Sequence, residues 1–126
     1  MTSKWMLAAC GVVLAAVPML AHHSFAAEYD SSALVTLSGT ITKVEWTNPH
    51  AYVYLDVKAE DGTVVNWGIE GYPPNTLRRT GFTRNLMQEG TRVTITGWRA
   101  RDNASRMAAR EVTLPDGKKV FFGPNA

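Results

Sequence analysis

Val35-Thr36-Leu37-Ser38-Gly39-Thr40-Ile41-Thr42-Lys43-Val44-Glu45-Trp46 decides the fold. Val35, Leu37, Gly39 and Ile41 alternate with polar residues, which is the period of a strand with one face buried. The apolar phase then flips to Val44 and Trp46, so the strand needs a bend or bulge around Thr42-Lys43. Gly39 sits in the middle of this long strand, where tight coiling favours a residue without a side chain. One long, bent first strand is the expectation.

Asn48-Pro49 breaks the strand. In the next run Ala51, Val53, Leu55 and Val57 point one way while Tyr52, Tyr54, Asp56 and Lys58 point the other. Asp61-Gly62 is a hairpin signal that returns the chain through Val65, Trp67 and Ile69. Residues 34–70 therefore read as an antiparallel meander. Gly71-Tyr72-Pro73-Pro74 ends it, and Asn75 is placed to cap a short helix through Leu77 and Arg78 before Gly81. Phe82 to Met87 offers another turn.

A fourth strand follows Glu89-Gly90, with Val93, Ile95 and Gly97 inward, and Arg106 to Leu114 reads as a fifth, with Val112 and Leu114 inward. Pro115-Asp116-Gly117 turns the chain into a short apolar tail, Val120 to Phe122. Three strands, a short helix and two more strands is the order of an all-β, OB-like Greek-key barrel of five to six strands. A five-stranded open meander with a packed helix is the alternative. Trp46 and Trp67 read as core, whereas Trp98 is out of phase with Val93 and Ile95 and reads as a surface residue.

Outside this body, residues 1–21 read as a secretory signal peptide. Lys4 supplies the positive start, Trp5 to Val17 the apolar stretch, and Pro18 the break before small residues. That stretch is shorter than the roughly 20 residues of a membrane span. Cleavage after Ala21 leaves residues 22–126 as a single domain with an extended N-terminal segment, in the periplasm or secreted. Ser24-Phe25-Ala26 is a competing cut, and Leu7-Ala8-Ala9-Cys10 is a rival lipoprotein site. Cys10 is the only cysteine, so after cleavage neither a disulfide nor a thiolate site remains. With 13 basic against 11 acidic side chains, nothing marks a partner for nucleic acid.

His22-His23-Ser24-Phe25-Ala26-Ala27-Glu28-Tyr29-Asp30, Gly39-Thr40-Ile41, Val44-Glu45-Trp46-Thr47-Asn48-Pro49-His50 and the closing Pro115-Asp116-Gly117 carry a resemblance across nearly the whole mature chain. The sequence is similar to a family of small secreted bacterial proteins known as a domain of unknown function. The resemblance implies export and the domain outline, and leaves function to the residues.

The chemistry falls to His22, His23 and His50, the only histidines. After a cut at Ala21, the α-amine and ring of His22 can chelate one ion, and His50, in the loop joining the first two strands, can oppose them. Three nitrogens in a T suit Cu(II), toward which divalent affinities also rise. His23, whose ring leaves an extended segment on the opposite side, is an exchange ligand. Zinc would call for a tetrahedral set and a further ligand such as Glu28, Asp30 or Glu45. The bland reading makes Asn48-Pro49-His50 a solvated turn and His22-His23 a frayed end.

A second function class is a metal-free OB-type binding domain that presents Tyr52, Tyr54 and Asn66, on the outer face of strands two and three, to a saccharide, a small ligand or a periplasmic protein partner. Arg99, Arg101, Arg106 and Arg110 read as a solvated face, since interspersed acids balance them. No Gly-x-Ser-x-Gly, His-Glu-x-x-His, Cys-x-x-Cys or phosphate loop is present, so the common hydrolase, protease and nucleotide-enzyme readings lack their machinery.

Overall fold

A computed structural model describes residues 25–124. Residues 1–21, read above as a signal peptide, together with His22 and His23 lie outside the described residues. Among the described residues, a helical turn over 25–28 is followed by β1 (Tyr29–Glu45), β2 (Tyr52–Lys58), β3 (Val64–Glu70), the short helix α1 (Pro74–Arg79), the 3-10 helix Arg84–Leu86, β4 (Arg92–Ala100), β5 (Arg106–Thr113) and β6 (Lys119–Phe121).

The long first strand serves two neighbours. Leu34 to Thr40 pair antiparallel with β4, and Thr40 to Glu45 pair antiparallel with β2. Gly39 stands where one partner gives way to the other, and a Cβ there would lie 2.5 Å from the Asp56 carbonyl oxygen. The register with β2 then skips a residue between Ile41 and Lys43. Thr42 is the extra residue of that bulge, and it flips the apolar phase from Ile41 to Val44, where the sequence places the flip.

β3 and β5 pair in parallel through Gly68–Arg106, Ile69–Met107 and Glu70–Ala108. This joins the two ends of the run β3-β2-β1-β4-β5 into a five-stranded ring, with β6 added along β5. The result is the OB-like barrel rather than the open meander. Its core is made by Ile41, Val53, Leu55, Ile69, Ile95, Met107 and Val112, all buried. Leu77 of α1 and Phe82 fill one end together with Phe122 from the tail, and Trp46 stacks on Phe82 at 6.2 Å. Trp46 and Trp67 are both half-buried against this core, as expected. Among the described residues no helix is long and apolar enough to cross a membrane.

Three expectations are corrected. Asn75 does not cap α1: the helix begins at Pro74 with Pro73 in the capping position, and Asn75 lies inside it. Proline is suited to the first helical turn, because its missing N–H would have no partner there. The first strand starts at Tyr29, ahead of the alternating run, because Asp30-Ser31-Ser32 carries no apolar pattern to betray it. Trp98 is only 3 % exposed. Its phase does point away from Val93 and Ile95, but the outer face it occupies is covered by Phe25 and Tyr29, forming a second small core with Ala100 and Ala108.

Gly39→Val should destabilise the domain by about 1–3 kcal/mol, the usual cost of overpacking, whereas Val in place of the exposed Lys58 should leave the melting temperature nearly unchanged. Thermal melts of the two variants check this, and equal melting temperatures would contradict the close approach of β1 and β2.

Candidate functional site

The loop Trp46-Thr47-Asn48-Pro49-His50 carries the chain from β1 to β2, with the Asn48–Pro49 bond cis. Beyond the ladder proper, the Ala51 amide donates to the Tyr72 carbonyl at 3.1 Å and the Gly71 amide donates to the Ala51 carbonyl at 2.8 Å. The end of the loop is therefore zipped to the segment that leaves β3. Gly71 itself has no room for a side chain, since a Cβ would overlap the Phe122 ring. This close packing sets His50 beside Gly71 and Glu70.

The Nδ1 atom of His50 lies 3.0 Å from the Gly71 carbonyl oxygen and 3.4 Å from Glu70 Oε1. A carbonyl oxygen only accepts, so in the neutral ring Nδ1 carries the proton and Nε2 the free lone pair. The side chain is 42 % exposed, against 17 % for Glu70. Glu70 is held from a second direction, because Tyr29 Oη donates to its Oε2 at 2.5 Å. Tyr52 sits directly across from Glu70 in the β2–β3 register.

Burial, then the hydrogen bond to Glu70, pushes the Tyr29 phenol far above its ordinary range. Burial and the nearby Glu70 charge push Tyr52 up to about 12. A cavity of about 220 Å³ beside Tyr29 and Glu70 is lined by Phe25, Glu28, Tyr29, His50, Glu70 and Tyr72 among others.

Residues 25–28 form a helical turn that seats the start of the described chain at this cavity. The Phe25 ring lies 5.3 Å from that of Tyr29 and meets Trp98 edge-on at 5.8 Å. The Arg101 amide donates to the Glu28 carbonyl at 2.9 Å, and Arg101 Nε donates to the Ala26 carbonyl at 2.6 Å. Arg101 thus ties down the N-terminal segment. Arg106 pairs with Asp102, and Arg99 lies over the Trp67 ring.

Of the residues singled out in the sequence, His50 and Glu28 come together at this cavity. Asp30 is bound to Ser32, and Glu45 is engaged by Lys43 and Tyr54, so neither is gathered with His50. Among the described residues no three of His, Cys, Asp and Glu are grouped to hold a metal ion.

Tyr52, Tyr54 and Asn66 do share one outer face through the β2–β3 register. Tyr54 donates to Glu45 Oε2 at 3.2 Å, with its ring against Gly68 and under Lys43, and Asn66 donates to Asp56 Oδ1 at 2.9 Å and to Thr42 at 3.1 Å. The polar groups of Tyr54 and Asn66 are thus engaged within the sheet. Glu70 and Tyr29 were missed in the sequence. The readable signal for Glu70 is its phase: it shares the face of Asn66 and Gly68 and so stands opposite Tyr52 at the strand's end.

Because Tyr29 and Tyr52 keep their protons in the folded chain above the ordinary phenol value of about 10, the unfolded chain releases protons first as pH rises. The stability these groups contribute is complete below about pH 10 and is lost as pH climbs through about 12 for Tyr52. Denaturant unfolding at stepped alkaline pH checks this. Tyr29→Phe should flatten the decline, and an equally steep fall in that variant would contradict it.

No curated protein matches the chain significantly. Among solved structures, the chain is similar to the dimeric N-terminal domain of PriB protein from Thermoanaerobacter tencongensis, at 23 % sequence identity over 67 % of this chain and 97 % of that one, with a TM-score of 0.44. A family model described as a family of unknown function (DUF6152) matches residues 9–109. The chain belongs to that family.

Proposed function

We propose that this protein is an exported copper-binding module that buffers, delivers or senses the ion in the periplasm, holding Cu(II) where its N-terminal segment meets His50. One observation carries the reading: Phe25 lines the same cavity as His50. His22 precedes Phe25 by three positions, a reach of at most about 10 Å. The packing of Phe25 on Trp98 and the grip of Arg101 on Ala26 favour a cut after Ala21, since a cut after Ala26 would remove both contacts.

In this reading the His22 amine and ring form one chelate arm and His50 Nε2 the opposing ligand, with His23 as an exchange ligand. The Gly71 carbonyl, by holding Nδ1–H, leaves Nε2 free to bind. A nitrogen-only, T-shaped set selects Cu(II) over zinc, which would draw on Glu28 as well.

Protein beginning at His22 should bind close to one Cu(II) per chain, and a single residue added before His22 should weaken binding sharply by displacing the amine from the ring. Competition with a chelator measures both, and equal affinities would refute the chelate arm. His50→Ala should cost more affinity than His23→Ala. The reverse order would mean that the terminal dipeptide binds alone through its amine, a deprotonated amide and the His23 ring. Affinity should fall as pH drops through about 6.5, where imidazoles take up protons. If both alanine variants titrate like the parent, the metal-free binding domain using Tyr52, Tyr54 and Asn66 replaces this reading.

A further inference from the structure

Glu70 stands between the two halves of the proposed site. Its Oε1 faces His50 Nδ1 at 3.4 Å, and its Oε2 accepts the Tyr29 hydroxyl at 2.5 Å. His50 belongs to the β1–β2 loop. Tyr29 begins β1 directly after the helical turn of residues 25–28, so it is the root of the N-terminal arm. One carboxylate therefore touches the opposing ligand on one side and the base of the chelating arm on the other. The carboxylate is itself fixed, because Glu70 is in register with Tyr52 on β2 and with Ala108 on β5, at the closure of the ring.

We infer that Glu70 is the positioning residue of this site, setting the ring of His50 and the docking of the N-terminal arm at once. The inference rests on the copper reading for its purpose and on the metal-free geometry for its content. An ionised carboxylate has only acceptor atoms. Beside Nδ1 it adds to the Gly71 carbonyl in favouring the Nδ1-protonated tautomer, which presents Nε2 to a metal. Through Tyr29 it also fixes where the helical turn of residues 25–28 joins β1. Glu70 touches no ion in this scheme and acts through its two neighbours.

The test uses metal-free protein beginning at His22, with nitrogen-15 NMR of the His50 ring at about pH 8, above the ordinary histidine value. In the parent the Nδ1-protonated form should dominate. In Glu70→Ala it should give way to a mixture, while Glu70→Gln, which keeps one acceptor oxygen, should fall between. Tyr29→Phe keeps the ring and removes only the hydroxyl. It should leave the tautomer of His50 intact and weaken the nuclear Overhauser contacts between Phe25 and Trp98.

Copper affinity should drop about 10- to 100-fold in Glu70→Ala, as for other groups that orient a ligand. An unchanged His50 tautomer in Glu70→Ala would overturn the first role, and unchanged Phe25–Trp98 contacts in Tyr29→Phe would overturn the second. A silent His50→Ala in the copper titration would refute the copper reading alone, since the tautomer and contact measurements need no metal.

Discussion

Three residues of parallel pairing, Gly68 to Glu70 against Arg106 to Ala108, close this barrel, and the site depends on that closure. Parallel neighbours cannot be joined by a hairpin, so the chain between β3 and β5 must cross over, and it does so through α1, the 3-10 helix and β4. The crossing leaves Leu77 and Phe82 to fill the barrel end. It also brings the last residue of β3 next to Ala108, on the same corner where Phe25 and Tyr29 cover Trp98. Without closure, Glu70 would end an edge strand in water. With it, Glu70 lies under the N-terminal segment and beside His50.

The barrel was legible where local sterics leave few options. Gly39 and Thr42 mark the hand-over and the bulge of β1, because only glycine fits the first and the second is where the apolar phase breaks. Gly97 was equally readable, since a Cβ there would collide with the Ala108 carbonyl. Gly62 and Gly117 adopt positive φ in the two turns that Asp61-Gly62 and Pro115-Asp116-Gly117 announce.

What could not be read depends on distant partners. The alternation assigns Trp98 to the outer face correctly but is silent about Phe25 folding back over that face. The link between Tyr29 and Glu70 spans 41 positions, and no local pattern encodes it. For α1, two rules competed. Asn75 looked like a cap, and the preference of proline for the first turn prevailed.

The site is small and economical in its physics. Its one described histidine is held by a carbonyl and faced by a carboxylate, which leaves the far nitrogen with its lone pair. The N-terminal segment is anchored through Phe25 against Trp98 and through Arg101 on Ala26, three and four positions after His22. Amide NMR of isotope-labelled protein beginning at His22, recorded with and without Cu(II), tests most directly whether arm and loop meet on one ion. Paramagnetic broadening should spread over Phe25, His50, Gly71 and Ala108 while sparing the Asp61-Gly62 hairpin. Broadening confined to the residues around His22 and His23, with His50 and Gly71 left sharp, would contradict it.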